Sequence, residues 1–551
     1  MTARREPVLA IRDLVVETRD APAKRLLDGV TLDAAAGETV CLVGESGSGK
    51  SITSLATMGL LPARTLRLAS GSIRLSGEEL TGATRTRLRA LRATGMAMVF
   101  QEPMTALNPV LTVGRQIEEV LECHVQLSAA ARRRRVLEMI ERVHLPDVER
   151  VYRSHPHELS GGQRQRIMIA MALVLEPQLL IADEPTTALD VTTQRQILHL
   201  VRELQNKQGT AVLFITHDMG VVADIADRVV VMRQGAVVET APVDQILSAP
   251  KAVYTRGLLR AVPALAPRPP RPEASREIVL ETIELTKRYR RPALFGPGHE
   301  TVAAEDVGFA LKHGRTLGIV GESGSGKSTV ARCVMRLIAP SSGGVRVRGN
   351  DIADLGRAAL HQHRRHIQMI FQDPNRSLNP RMTVGESIVE GPMNYGISRA
   401  AAMRRARELL DLVGLPADAV TRYPHAFSGG QRQRIAIARA LAMEPKLVVA
   451  DEAVSALDVS VQAQVLGLLA DLQAELGLAI LFITHDLRVA AQVCDDILVM
   501  RKGRVVEHGP TARVLNAPRD PYTRTLLEEA PGRHWDFPNF RPIPSAPVEA
   551  A

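Results

Sequence analysis

The sequence predicts an α/β protein in which one domain is written twice in tandem. Two observations carry this. Whole segments recur in the same order at nearly constant offsets, and in each copy short β-branched apolar runs alternate with helical stretches and end on glycine or acidic residues. At 551 residues the chain also exceeds what one core organises, so two to four domains are expected.

The repetition is direct. GESGSGKS stands at Gly44–Ser51 and again at Gly321–Ser328, 277 positions on (44 to 321). SGGQRQRI at Ser160–Ile167 returns at Ser428–Ile435, and FITHD at Phe214–Asp218 returns at Phe482–Asp486, both offset by 268 (160 to 428, 214 to 482). The later segments Ala249–Leu259 (APKAVYTRGLL) and Ala517–Leu527 (APRDPYTRTLL) keep that offset. Between the copies, residues 261–277 hold five prolines from Pro263 to Pro272, a composition that excludes a helix or central strand and makes a semi-rigid spacer. The expected division is therefore 1–260, a Pro-rich linker 261–277, 278–530, and a Pro-rich tail 531–551 containing Trp535, for which docking and disorder are equally expected.

Within the copies, Thr39–Val43 and Thr316–Val320 are β-branched runs feeding a glycine loop. Leu179–Ala182 and Leu447–Ala450 are buried-strand runs ending in Asp-Glu, and Val212–Ile215 and Ile480–Ile483 end in Thr-His-Asp. Polar residues at the carboxyl ends of parallel strands are where open α/β sheets bind ligands.

Composition narrows the class. Hydrophobic residues at 45% and charged residues at 23% are those of a soluble globular protein, and aromatics at 3% leave the core to aliphatic side chains. The net charge of +9 suits nucleic acid, anionic lipid or a polyphosphate equally and decides nothing. Arg132–Arg135 read as the solvated face of a helix whose apolar side is Val136, Leu137, Ile140 and Val143. Cys41, Cys123, Cys333 and Cys494 lie far apart, which argues against a zinc or iron–sulfur cluster and fits buried free thiols in a reducing compartment. His361, His363 and His366 lack a regular ligand geometry. With no apolar run of about eighteen residues and no signal-peptide pattern, the expectation is a chain that stays in the cytoplasm.

The chemistry is that of phosphate. GxxxxGK[ST] lets backbone N–H groups face the β- and γ-phosphates, adds a lysine charge and places a hydroxyl on Mg²⁺ at a helix N-terminus. The candidate ATP-binding residues are Gly44, Glu45, Ser46, Gly47, Ser48, Gly49, Lys50 and Ser51, with Gly321, Glu322, Ser323, Gly324, Ser325, Gly326, Lys327 and Ser328 in the second copy. Asp183 and Asp451 are placed to orient the metal, and Glu184 and Glu452 to polarise the attacking water.

LSGGQRQ at Leu159–Gln165 and FSGGQRQ at Phe427–Gln433 resemble the signature of ATP-binding-cassette ATPases, and the resemblance covers residues 8–530. It implies two tandem P-loop ATPase domains, each with a mixed sheet core and a helical signature subdomain. It makes Gln101 and Gln372 the Q-loop glutamines near the metal, His217 and His485 the switch histidines on the γ-phosphate, and Ala188-Leu189-Asp190 and Ala456-Leu457-Asp458 the D-loops. It also implies that Ser160, Gly161, Gly162 and Gln163 of one half and Ser428, Gly429, Gly430 and Gln431 of the other clamp the ATP held by the opposite P-loop, giving two competent sites. The family usually stacks an aromatic on adenine ahead of the P-loop. Tyr289 suits that role, whereas residues 1–40 lack Phe, Tyr and Trp and Thr18 falls at the corresponding place, so the first site is expected to bind nucleotide more weakly. Asp451-Glu452-Ala453-Val454 departs from Asp183-Glu184-Pro185-Thr186 but keeps the acids.

QEPMTALNP (101–109), QDPNRSLNP (372–380), HPHELSGGQ (155–163), YPHAFSGGQ (423–431) and the Tyr-Thr-Arg segments at Tyr254 and Tyr522 are similar to dipeptide, oligopeptide and nickel importers. That group implies two membrane permeases, an extracellular or periplasmic solute-binding protein, peripheral attachment to the cytoplasmic face of the inner membrane, and ATP with Mg²⁺; no iron–sulfur cluster and no nucleic-acid partner are expected. The alternative, a non-transport cassette ATPase acting on ribosomes or nucleic acid, would show a long charged linker, zinc cysteines or a coiled coil, none of which the sequence carries.

Overall fold

The computed structural model describes residues 7–101, 106–186, 189–271, 275–291, 299–373, 377–455 and 457–543. It contains two compact units, one of residues 1–189, 193–262 and 531–551, the other of residues 190–192 and 263–530.

In the first unit, β1 (Leu9–Thr18), β2 (Arg25–Ala34), β4 (Leu66–Leu75) and β5 (Glu78–Glu79) form an antiparallel sheet in the order β2-β1-β4-β5. A second sheet runs β10-β9-β3-β8-β7-β6, from β3 (Thr39–Val43), β6 (Met96–Val99), β7 (Leu179–Asp183), β8 (Ala211–Ile215), β9 (Arg228–Arg233) and β10 (Ala236–Pro242). All its pairings are parallel except β9 with β10. Strands β3, β7 and β8 are buried at every residue, which is why they read as unbroken apolar runs. β1 alternates buried and accessible positions, as a sheet with one wet face requires.

The second unit repeats the pattern. β11 (Ile278–Arg291), β12 (His299–Lys312), β14 (Ser342–Val347) and β15 (Asn350–Asp351) pair as β12-β11-β14-β15. β13 (Thr316–Val320), β16 (Ile367–Ile370), β17 (Leu447–Asp451), β18 (Ala479–Ile483), β19 (Asp496–Arg501) and β20 (Arg504–Pro510) pair as β16-β17-β18-β13-β19-β20.

Each unit adds a helical subdomain: Val113–His124, Ala129–Arg142 and Gly161–Leu173 in the first, Val384–Asn394, Arg399–Leu412 and Gly429–Leu441 in the second. The arginine run lies in Ala129–Arg142, which buries Val136, Met139 and Ile140. Arg132 is paired with Glu122 at 2.9 Å and Arg133 with Glu149 at 2.8 Å. The expectation of four buried thiols is corrected at one position. Cys41, Cys333 and Cys494 are buried, but Cys123 falls on the solvent side of a helix that buries Val113, Ile117 and Leu121. Among the described residues, no helix is long and apolar enough to cross a membrane and no group of three metal-ligating side chains converges.

Both proline-rich segments are anchored. In the second unit, Arg268 and Arg271 reach the Asp495 carboxylate at 2.7 and 2.6 Å. Burial alone would raise the Asp495 pKa, but the Arg271 guanidinium and the Thr316 N–H hold it below the usual carboxylate range. In the first unit, the tail packs against the helices Met219–Ile225 and Val253–Ala261. The Gly532 N–H donates to Asp224 at 3.2 Å, Arg260 lies 5.6 Å from the Phe540 ring centre, and Phe537 is 1% exposed. A Cβ on Gly532 would stand 2.6 Å from the Gly220 Cα, so the close approach needs glycine at 532. Phe537→Ala is expected to destabilise the first unit by about 3–5 kcal/mol. Hydrogen exchange should then quicken in the amides of 219–225, and an unchanged exchange pattern would refute the anchoring role.

Candidate active site

Strand β3 delivers the phosphate loop and the helix Lys50–Thr57 receives it. Gly44 (φ 152°) and Gly49 (φ 104°) turn the chain where a side chain would collide; a Cβ on Gly44 would sit 2.2 Å from the Met232 carbonyl. The Lys50 Nζ donates to the carbonyls of Gly44 and Glu45, both at 2.8 Å. In the second unit Lys327 donates to Gly321 and Glu322, both at 2.7 Å. The loop thus folds round its lysine, and burial pushes the Lys327 pKa down.

The acids come from the ends of β7 and β17. Asp183 accepts from the Ser51 hydroxyl at 3.2 Å and from Ser54 at 3.4 Å, and Asp451 accepts from Ser328 at 3.0 Å. Burial raises the pKa of both aspartates. One residue on, Glu184 and Glu452 adopt left-handed backbone (φ 47° and 48°), which glutamate rarely does. Their N–H groups bond the carbonyls of Ile215 and Ile483 at 2.9 and 3.0 Å, so strands β8 and β18 hold the strained residue in place.

Each glutamate is gripped from two sides. Gln101 Nε2 donates to Glu184 Oε2 at 2.9 Å, and His217 Nδ1 lies 3.3 Å from Oε1. In the second unit the distances are 2.8 Å from Gln372 and 3.5 Å from His485. Burial opposes the imidazolium charge, but the glutamate outweighs it and both histidines stand above their ordinary 6.5. Glu452 is correspondingly held low by His485 and Lys327 against its burial. The histidine contribution is therefore full below pH 6.5 and is lost as pH rises through the raised value. The Glu452 contribution is present above the ordinary carboxylate value and is lost as pH falls through the lowered one. NMR titration should place both imidazoles above 6.5, and Glu184→Gln should return His217 towards it; two unshifted histidines would refute the pairing.

The signature residues lie on the helical subdomain, and their hydrogen bonds close on themselves. Ser160 Oγ accepts from the Gln163 N–H at 3.2 Å while Gln163 Oε1 accepts from the Ser160 N–H at 3.0 Å, a capping box repeated by Ser428 and Gln431. Gly161 and Gly429 stand open, whereas a Cβ on Gly162 or Gly430 would meet Thr193 at 2.9 Å or Val461 at 2.2 Å. Tyr289 sits on β11 opposite Thr301, 40% exposed, with Lys287 5.2 Å from its ring centre; Thr18 ends β1. Ala188, Ala456 and parts of the two Q-loop segments (102–105 and 374–376) lie outside the described residues, while Asp458 caps the next helix by accepting from the Val461 N–H at 3.1 Å. In each unit the structure brings loop lysine, serine, aspartate, glutamate, glutamine and histidine together. Sequence reasoning missed Ser54 and the left-handed glutamates, neither of which carries a compositional signal.

Comparison with known proteins agrees with this geometry. Residues 27–187 and 304–455 each match the ABC transporter family, and residues 238–288 and 506–549 match the C-terminal region of oligopeptide/dipeptide transporters. The peptidoglycan transport ATP-binding protein YejF of Agrobacterium fabrum is 46% identical over 532 residues, covering 95% of this chain and 96% of its own. The glutathione import ATP-binding protein GsiA of Pectobacterium atrosepticum is 47% identical over 527 residues, covering 90% and 85%. The same-named protein of Salmonella choleraesuis is 46% identical over 534 residues, covering 91% and 86%. With two sets of cassette motifs folded into two α/β units, the chain belongs to the ATP-binding-cassette transporter family, as an ATPase carrying both nucleotide-binding domains in one polypeptide.

Proposed function

We propose that the chain powers an importer of peptides or peptide-like solutes, hydrolysing ATP at two sites and driving a pair of membrane permeases fed by a solute-binding protein. The observation that carries this is the completeness of both sites: each glutamate is gripped by its glutamine and histidine, and each aspartate by the loop serine. The match to the oligopeptide/dipeptide C-terminal region and the relatives named for glutathione and peptidoglycan transport support peptide-like cargo.

In this reading the P-loop N–H groups and Lys50 or Lys327 bind the phosphates, and the signature helices supply further N–H donors. Glu184 and Glu452 polarise the attacking water, while His217 and His485 hold the γ-phosphate end of the nucleotide. Ser51 with Asp183 and Gln101, and Ser328 with Asp451 and Gln372, would hold Mg²⁺. The fit is good: each serine–aspartate pair offers hard oxygens, and each glutamine gives its amide N–H₂ to the glutamate and keeps its oxygen for a cation. The ion would neutralise charge on the β- and γ-phosphates. A groove of about 720 Å³ beside Gln372, lined by Phe371, Glu390, Gly391, Arg439 and Met443, supports docking of a permease helix on the second unit.

Purification of the chain in mild detergent with ATP tests the reading. Two multi-span permeases and a solute-binding protein should accompany it on the cytoplasmic face of the membrane; ribosomes or nucleic acid without a membrane subunit would overturn it. The absence of an aromatic at Thr18 predicts that the first site binds ATP several-fold more weakly than the second. Equal affinities in chains carrying Lys50→Ala or Lys327→Ala in turn would refute that.

A further inference from the structure

The Tyr-Thr-Arg segment that follows each core marks the subgroup, but the chemistry above gives it no role. In the structure it reaches the phosphate loop. The helix Val253–Ala261 carries Tyr254, whose hydroxyl accepts from the Glu45 N–H at 3.3 Å, and the helix Pro521–Glu529 carries Tyr522, which accepts from the Glu322 N–H at 3.1 Å.

The bonded atom matters. The Glu45 N–H and the Gly44 carbonyl belong to one peptide unit, and that carbonyl is the one holding the Lys50 ammonium at 2.8 Å. The peptide is pinned on both edges, by lysine on its oxygen and by tyrosine on its nitrogen. The Gly321–Glu322 peptide is pinned in the same way by Lys327 at 2.7 Å and by Tyr522. This peptide follows the glycines at φ 152° and 148°, a conformation reserved for glycine, and these two bonds fix its two edges directly. The lysine grip is temporary, because a lysine that turns to a phosphate must release the carbonyl. The tyrosine grip is the one that remains.

The tyrosines are themselves braced. The Arg233 guanidinium, at the end of β9, lies 4.9 Å from the Tyr254 ring centre, and Arg501, at the end of β19, lies 4.7 Å from that of Tyr522. Glu239 on β10 accepts the Lys251 and Ala252 N–H groups at 2.7 and 3.0 Å, anchoring the start of the tyrosine helix. Glu507 on β20 accepts those of Arg519 and Asp520 at 3.1 and 3.2 Å. Burial pushes the Tyr522 pKa up to about 12, so the group is a neutral hydroxyl whose oxygen accepts from the Glu322 N–H.

We propose that Tyr254 and Tyr522 are positioning residues that hold the first peptide of each phosphate loop in its nucleotide-ready orientation once the loop lysine moves to the phosphates. The proposal rests on the assignment of these loops as the ATP sites. The test is the double variant Tyr254→Phe/Tyr522→Phe, which deletes the two hydroxyls and keeps both rings on their arginines. Steady-state hydrolysis should show the KM for MgATP raised about fivefold, the fold-change that matches one neutral hydrogen bond per site, and equilibrium binding of a fluorescent ATP analogue should weaken to match. A KM within about twofold of wild type would overturn the proposal. So would a lower kcat at unchanged KM, because a merely structural brace changes the fraction of active protein and not the affinity of what remains. Lys50→Ala/Lys327→Ala, measured in parallel, separates the two levels: if it leaves nucleotide affinity intact, the site assignment itself is wrong, whereas silent phenylalanines beside a non-binding lysine variant sink only the tyrosine inference.

Discussion

Replacing Glu184 and Glu452 together by glutamine is expected to lower ATP hydrolysis about 10²–10⁴-fold while leaving ATP binding in place. Glutamine matches glutamate in size and keeps an oxygen to accept from Gln101 or Gln372, which sit 2.9 and 2.8 Å away. What it loses is the negative charge that holds His217 and His485 above their ordinary pKa and that, in the proposed role, polarises the attacking water. The backbone adds a second arm. Both glutamates occupy left-handed conformations, at φ 47° and 48°, where a glycine is free of steric cost. Glu184→Gly should therefore abolish hydrolysis at the first site and, although it relieves about 1 kcal/mol of left-handed strain, should not stabilise that unit, because Gln101 and His217 lose their carboxylate partner. Radiometric hydrolysis and calorimetric unfolding read the two effects separately. Hydrolysis by the glutamine double variant within tenfold of wild type would assign the base to another group.

That strain is where the sequence stopped being legible. The strands were legible because parallel strands covered on both faces read as apolar runs, as Leu179–Ala182 and Ala479–Ile483 do. The loop and signature were legible because phosphate binding restricts residue types at fixed spacing. A glutamate at positive φ has no such signature, since nothing local requires it; strands β8 and β18 hold it through the Ile215 and Ile483 carbonyls, each of which accepts from the glutamate N–H. The tail was equally opaque. Its prolines suggest an extended segment, and only Gly532, which lies against Gly220, and Asp224, which binds its N–H, reveal the seat. Cys123 was misplaced because burial of cysteine is a tendency of the residue type, whereas exposure there follows from the helix face. The tyrosine contact to the loop joins residues 209 apart, a separation no periodicity reports.

Gly44→Ala is expected to be among the most damaging single substitutions in the first unit, and Gly47→Ala, three residues along the same loop, among the mildest. Both glycines have positive φ, 152° and 78°, so both alanines carry strain. For Gly47 the strain is all there is: a Cβ there meets nothing within 4 Å, and the cost is about 1–2 kcal/mol. At Gly44 the Cβ would lie 2.2 Å from the Met232 carbonyl oxygen and 2.8 Å from Ser48 Oγ. The serine can rotate, but Met232 is backbone of strand β9, paired with Val237 of β10. Strain and overlap together cost about 2–6 kcal/mol. The loop is the only part free to yield, so nucleotide affinity should fall with stability. The second unit supplies an internal control, because a Cβ on Gly321 would stand 2.3 Å from the Met500 carbonyl. Calorimetry without nucleotide should show Gly44→Ala lowering the first unit's transition and Gly321→Ala the second's, each well beyond the effect of Gly47→Ala or Gly324→Ala. If all four variants unfold alike, the contact with the neighbouring strand is not what reserves these positions for glycine, and the loop's shape must be set from within.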